Sequence, residues 1–407
     1  MTLSALDNPQ HPPRTLSARS GAGRLLEGRG LGVLLAAHVL LLLLFDYLAA
    51  DIRTLFSGGL FVGYFGLAVL TLLRPGPARE RALAGVALLL LSYWAIVWAG
   101  GLIAGISSPD EFNLVFRHTM PFLCGVAVLA YRDRLPLRPL IWMAATLTAV
   151  ALLSALINPP IMLAGTPRWY PFSSGVHTSA YAMAAVALLC WEYLRVLPRR
   201  AMFMRALVAL TLGASLLMIY GYGVRSAQLF LAAYLLTDLV VLNLFTRRIG
   251  ANLLLVAMVG TLTLVLAGVS VYAAALGVEG LTNVSSGRIA NYLERLSILA
   301  QSDVQEIVFG RGLGSDLIVV GVWWWEAKGS HSDILTFLWE GGLVGFGLVA
   351  VYLGLFWRLN LVVLSAPVVA LLAASAISNA YLVRPNVAFV LFILCAIRMV
   401  LRSHERL

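Results

Sequence analysis

The sequence predicts an all-α, polytopic membrane protein of about 12 transmembrane helices, with an amphipathic helix on the outer face in one long outer loop. Three observations carry this. Of 407 residues, 60% are hydrophobic and only 12% charged, so most of the chain is built for an apolar solvent. The apolar residues gather into about twelve stretches of roughly 17 to 25 residues, the length a helix needs to cross a bilayer. The basic residues alternate between the ends of those stretches as the positive-inside rule requires.

The elements follow in order. Residues 1–31 hold Pro9, Pro12, Pro13, several serines and four arginines, and read as a disordered basic cytoplasmic tail. No small-residue cleavage site follows a short apolar region, so the first span is expected to stay as an anchor. Nine spans are expected within 32–276: near 32–50, 56–73, 82–105, 114–131, 139–158, 179–196, 206–222, 229–245 and 253–276. An outer loop follows at 277–331, then three more spans within 332–401, near 333–357, 361–378 and 386–401, and a cytoplasmic tail at 402–407. Cys124, Cys190 and Cys395 all fall within apolar stretches and show no CxxC spacing, which points to neither a disulfide framework nor a zinc site.

A net charge of +10 raises the question of a nucleic-acid partner. With the N-terminus inside, 20 of the 29 basic residues fall in inner segments, and the outer SSPDEFN loop has none. The charge is orientation, and no nucleic acid is expected.

The nine exceptions are Arg53, Arg117, Arg168, Arg225, Arg288, Arg295, Arg311, Lys328 and Arg384. Arg225 lies in GYGVRSAQ, a connection so short that it holds the charge at or just below the membrane surface, a costly place without an anion. Arg168 and Arg288 fall in the two longest outer loops, and Arg384 in the NAYLVRP turn. Outer arginines converging at one depth would grip a phosphate or diphosphate through bidentate guanidinium contacts. The alternative is that each snorkels or pairs with an outer acid such as Asp110, Glu111, Glu294 or Asp316.

Within 285–300, Ile289, Tyr292, Leu293, Leu296 and Leu299 recur at helical spacing, with Arg288, Asn291, Glu294 and Arg295 on the other faces. This predicts an amphipathic helix on the outer membrane surface, whether a plain anchor or part of a site. VFGRGLGSD, rich in glycine but lacking a dinucleotide-fold setting, is expected to be a flexible turn at the site's edge.

At 331–345 stands HSDILTFLWEGGLVG. Ser330 and Asp333 are three apart, as in a capping box, which would place His331 on the first turn of the tenth span. There the positive end of the helix dipole and nearby arginines favour the neutral imidazole that a general base must be. A polar cap is the plainer alternative for such a histidine. His11 and His404 lie in tails, His38 within the first span and His118 at the start of the fourth, leaving His177, in an outer loop, as the main rival. Gly341 and Gly345 form a small-xxx-small pair suited to close helix approach. Glu340, more than two turns below His331, is expected to take a structural or helix-orienting role.

At these residues the chain resembles the bacterial O-antigen ligase and O-antigen polymerase family. That family's signature is His, then Asn, Ser or Gln, nine residues, Gly, two residues, and Gly, Thr or Tyr. His331, Ser332, Gly342 and Gly345 fit it throughout. SSGRIANYLERL followed by VFGRGLG resembles the segment before the family's histidine, and YGVRSAQL its short arginine turn, with Ala227 where glycine is more usual. The resemblance spans roughly 165–350 and implies a twelve-span glycosyltransferase of the bacterial inner membrane, both termini cytoplasmic and the site periplasmic. The donor would be an undecaprenyl-diphosphate-linked glycan. The acceptor would be a lipid A-core hydroxyl for a ligase, or a lipid-linked glycan for a polymerase.

The chemistry of the residues agrees. Glycan transfer from a lipid diphosphate needs a base for the acceptor hydroxyl, for which His331 is the candidate, and cations for the leaving diphosphate, for which Arg225 and Arg288 are the candidates with Arg168, Arg384 and His177 as further binding residues. No outer loop offers a DxD-like carboxylate pair, so neither metal nor other cofactor is expected. A lipid-linked glycan transporter is the alternative from another class. It would call for titratable residues near mid-membrane on several helices, where only Asp238 and Glu340 qualify.

Overall fold

The structure, a computed structural model, describes residues 21–105, 107–108, 111–135, 137–163, 166–240 and 287–403. The helices are α1 (Gly21–Leu44), α2 (Ala50–Leu73), α3 (Ala78–Ile103), α4 (Phe112–Ala130), α5 (Leu137–Ile157), α6 (Val176–Val196), α7 (Met202–Tyr222), α8 (Arg225–Asp238), α9 (Arg288–Ala300), α10 (Val304–Phe309), α11 (Asp333–Leu359), α12 (Leu361–Ile377) and α13 (Pro385–Ser403). Between α5 and α6 a short antiparallel hairpin pairs β1 (Ile161–Leu163) with β2 (Thr166–Arg168), Ile161 opposite Arg168.

Among the described residues, seven helices are long and apolar enough to cross a membrane: α2, α3, α4, α5, α7, α11 and α13. The apolar part of α1 and all of α12 are shorter, and α6 carries His177, Thr178, Ser179 and Glu192 along its length. The ninth expected span, at 253–276, lies outside the described residues, as do the end of the eighth and the start of the long loop. α1 begins at Gly21, ahead of the expected boundary at 32.

Local chemistry explains several ends. α2 stops at an extended Arg74, the residue before Pro75, where proline disfavours helical backbone. α7 ends on Gly223 in the left-handed region. The side chains of Ser332, Asn360 and Asp303 cap α11, α12 and α10 by accepting from Leu335, Val363 and Glu306 amides.

The chain divides into two compact units, the described parts of 1–84, 120–231 and 384–407, and of 85–119 and 232–383. In the first, α6 is buried along nearly its whole length and packs on α7 and α13. Glu192 on α6 meets Arg398 of α13 at full burial, with Arg402 3.5 Å away. Near the start of α13, the ring of His38 stacks on Phe389 and its Nδ1 lies 3.0 Å from the Tyr64 hydroxyl. The second unit is organised around the N-terminal half of α11.

Candidate active site

His331 does not lie on the first helical turn. Ser332 is the N-cap of α11, and His331 precedes it with φ of +56°, the one non-glycine residue with positive φ among the described residues. Such a backbone persists only where its surroundings fix it. Here the Tyr292 hydroxyl donates to the His331 carbonyl (3.1 Å), and the Asn291 amide donates to the Ser330 carbonyl (3.2 Å). Ser330, expected to be the capping residue, is instead buried and donates to Asp316 Oδ2 (3.0 Å). The imidazole is half-buried, on a loop clamped on both sides.

The clamp comes from α9, whose amphipathicity is the reverse of a soluble helix. Asn291 and Arg295 face inward at 0% exposure, while Leu293 and Leu296 are 60% and 48% exposed. Arg295 donates to Asn291 Oδ1 (2.8 Å), Asp316 Oδ1 (2.7 Å) and the carbonyls of Asp316 (2.8 Å) and Lys328 (2.6 Å), and lies over the Trp339 ring. Burial lowers the guanidinium and raises the Asp316 carboxyl from their ordinary values, each shift opposed by the other's charge. Asp316 also accepts from the Ser330 amide (2.9 Å) and the Thr336 hydroxyl (2.9 Å). Arg295 is therefore a structural pin under the histidine loop.

Arg288, the first residue of α9, is half-buried and donates through Nη1 to the Ile377 carbonyl at the end of α12 (3.0 Å). The next carbonyl, of Ser378, accepts from the Asp333 amide (3.2 Å). Arg288 and the His331 loop thus reach two successive peptides of one segment, which places Arg288 and the backbone of the His331 loop in the same locality.

Deeper in α11 the helix breaks at Gly342 (φ +60°, ψ −162°). The VFGRG turn, expected to be flexible, is locked into this break: the amides of Arg311 and Gly312 donate to the carbonyls of Trp339 (3.0 Å) and Glu340 (3.1 Å). The Tyr93 hydroxyl bridges the carbonyls of Phe309 (2.9 Å) and Gly341 (2.6 Å). Carbonyls freed by the break are satisfied by this inserted turn, as an apolar surrounding demands. Gly341 and Gly345 do permit close approach, with the rings of Trp94 and Tyr93 on α3 as their neighbours.

Sequence reasoning passed over the partner of Glu340. His118 Nε2 lies 2.9 Å from Glu340 Oε2, both side chains at most 5% exposed. His118 Nδ1 lies 2.7 Å from the Leu114 carbonyl, which can only accept, so Nδ1 carries a hydrogen. The signal available in the sequence was two titratable residues in two apolar stretches, without anything to pair them.

In the other unit, Arg168 Nη1 donates to the carbonyls of Tyr222 (3.1 Å) and Gly223 (2.9 Å), capping the C-terminus of α7 just before Arg225. Arg225 is exposed at the start of α8. Arg384 donates to the Thr178 hydroxyl (3.1 Å), the neighbour of His177 in the first turn of α6. Asp238, at the end of α8 and in the second unit, is buried. Among the described residues, no cluster of three His, Cys, Asp or Glu side chains is placed to hold a metal ion.

Comparison with protein-family models and with curated proteins finds no match to this chain.

Proposed function

We propose that the protein is an O-antigen ligase-like glycosyltransferase of the bacterial inner membrane, with about twelve spans, cytoplasmic termini and a periplasmic site formed in part by the long loop before α11. It moves a glycan from undecaprenyl diphosphate to a hydroxyl of lipid A-core. The observation that carries this reading is the locality of His331 and Arg288: an imidazole on a clamped, positive-φ loop and a guanidinium bound to Ile377, next to the peptide that receives Asp333.

In this reading His331 takes the proton of the acceptor hydroxyl as that oxygen attacks the anomeric carbon, and the glycosyl–phosphate bond breaks with its electrons passing to the diphosphate. Arg288 stabilises the charge that develops there, and Arg225 of the arginine turn is proposed as a further cation on the sequence resemblance alone. Arg168 and Arg384 spend at least one N–H each on protein acceptors, so their part in donor binding is secondary. His177 is a binding residue beside Thr178. The exposed Leu293 and Leu296 of α9 support its place at the lipid surface.

The test is reconstituted protein with undecaprenyl-diphosphate-linked glycan, offered either lipid A-core or a second lipid-linked glycan as acceptor, with and without chelator. Transfer to lipid A-core that resists chelation supports the ligase reading. Chain elongation of the lipid-linked glycan assigns a polymerase. Movement of the lipid-linked glycan across vesicles without a new glycosidic bond favours a transporter and ends the transferase reading.

A further inference from the structure

Asp333 is fully buried, and its carboxylate is spent on one segment of chain. Oδ1 accepts from the Ala380 amide (3.0 Å), and Oδ2 from the Leu382 amide (3.2 Å) and the Ser375 hydroxyl (2.8 Å). Its own amide donates to the Ser378 carbonyl (3.2 Å), and the neighbouring Ser332 hydroxyl donates to the Ser375 carbonyl (2.9 Å). The segment is gripped from two other directions, by Arg288 at Ile377 and by Arg117 Nε at Val383 (3.1 Å). A helix cap explains one of these contacts; it does not explain why a carboxylate two residues from His331 reaches across to amides at 380 and 382.

We infer that Asp333 is a positioning residue which, by immobilising the turn at 378–383 against the start of α11, fixes His331 relative to Arg288. This rests on the glycan-transfer reading for its functional meaning, while the immobilisation stands on contacts alone. At least three donors converge on Asp333, so the position demands an acceptor at both oxygens. Asparagine, almost the same size, cannot supply that. In either orientation its NH2 would face a backbone N–H, at Ala380 or at Leu382, and the turn would be released.

The experiment compares wild type, Asp333→Asn, His331→Ala and the double variant in lipid nanodiscs by amide hydrogen exchange and by transfer kinetics per folded molecule. In Asp333→Asn, exchange at 378–383 should rise about tenfold or more. The kcat should fall roughly ten- to a hundredfold, the scale of a misplaced reacting group, with donor KM changed less than about threefold. The double variant should be no slower than His331→Ala alone, because a residue acting only through His331 has nothing further to remove. Unchanged kcat despite faster exchange, or losses that multiply in the double variant, overturns the inference. Should Asp333→Asn fail to fold, Ser375→Ala, which removes one donor, is expected to slow transfer about three- to tenfold, and wild-type rate there overturns it equally. A wild type that transfers no glycan defeats the transferase reading; the exchange arm still decides the strut, since unaltered protection at 378–383 refutes it.

Discussion

Two imidazoles serve the first three turns of α11, and they are held in opposite ways. His331, at the mouth, has its backbone fixed in an unfavourable conformation by Tyr292 and Asn291 while its ring is half-buried. His118, at the break, sits in ordinary helical backbone with its ring sealed between Leu114 and Glu340 and flanked by Trp94 and Phe337. Where structure constrains the chain and leaves the ring within reach of solvent, the side chain is available for chemistry. Where it seals the ring among buried neighbours, the side chain is part of the packing.

The largest effect is expected at the break itself. A Cβ on Gly342 would lie 2.4 to 2.6 Å from backbone atoms of Gly310 and Val308, and φ of +60° disfavours any L side chain. Neither backbone can yield without unmaking the inserted turn, so Gly342→Ala should cost about 4 kcal/mol or more, read as loss of folded protein. Next comes His118→Leu, which strands the buried Glu340 carboxyl. Breaking a buried pair costs roughly 3 to 5 kcal/mol, measured by thermal or denaturant unfolding in detergent. Surviving folded molecules should transfer glycan within about threefold of wild type, since His118 acts on stability. A large drop in their kcat would erase the distinction between the two histidines.

His331→Ala should give the mirror image: stability within about 1 kcal/mol of wild type, and transfer slowed about a hundredfold, or roughly 2.7 kcal/mol of barrier. Alanine keeps the Cβ that positive φ disfavours, so the backbone strain stays as it is and no gain in stability is expected. Near-wild-type turnover would leave the imidazole as a cap and remove the base from the proposed reaction.

Much of this was legible in the sequence, and the limits have physical causes. Helices α2, α3, α4, α5, α7, α11 and α13 stand within a few residues of the expected stretches, because apolarity and length decide a span locally. His331 and Arg288 stood out because a charge or imidazole at such a boundary is costly without a reason. Asp316 was named as one possible partner for an outer arginine, but the inward turn of the polar residues of α9 could not be read, because the Lys328 carbonyl and Asp316 that receive Arg295 are remote in sequence. The lock of VFGRG into α11 and the pairing of Glu340 with His118 were hidden for the same reason. Periodicity reports which residues are apolar; it carries no information on which distant peptide will meet them. The capping error at Ser330 was smaller, a shift of two residues forced by the claim of Asp316 on that hydroxyl.

The smallest effect sharpens the same contrast on α9, where Arg288 and Arg295 differ as the two histidines do. Arg295 has every nitrogen engaged at full burial, whereas Arg288 is half-buried and donates from Nη1 to a single carbonyl among the contacts named above. Lysine keeps the charge at either site but replaces a planar fork with a point donor. Arg295→Lys should therefore loosen the loop, exposing 287–331 to proteolysis, because one ammonium cannot reach Asn291, Asp316 and Lys328 together. Arg288→Lys should keep that loop intact and stability within about 0.5 kcal/mol, as expected away from a buried network. If its remaining N–H groups grip the leaving diphosphate, transfer should slow about tenfold, or roughly 1.4 kcal/mol, with the loss growing when the donor carries a poorer leaving group. Wild-type transfer by Arg288→Lys, with the loop equally resistant, would reduce Arg288 to a tether for Ile377 and leave the diphosphate to other arginines.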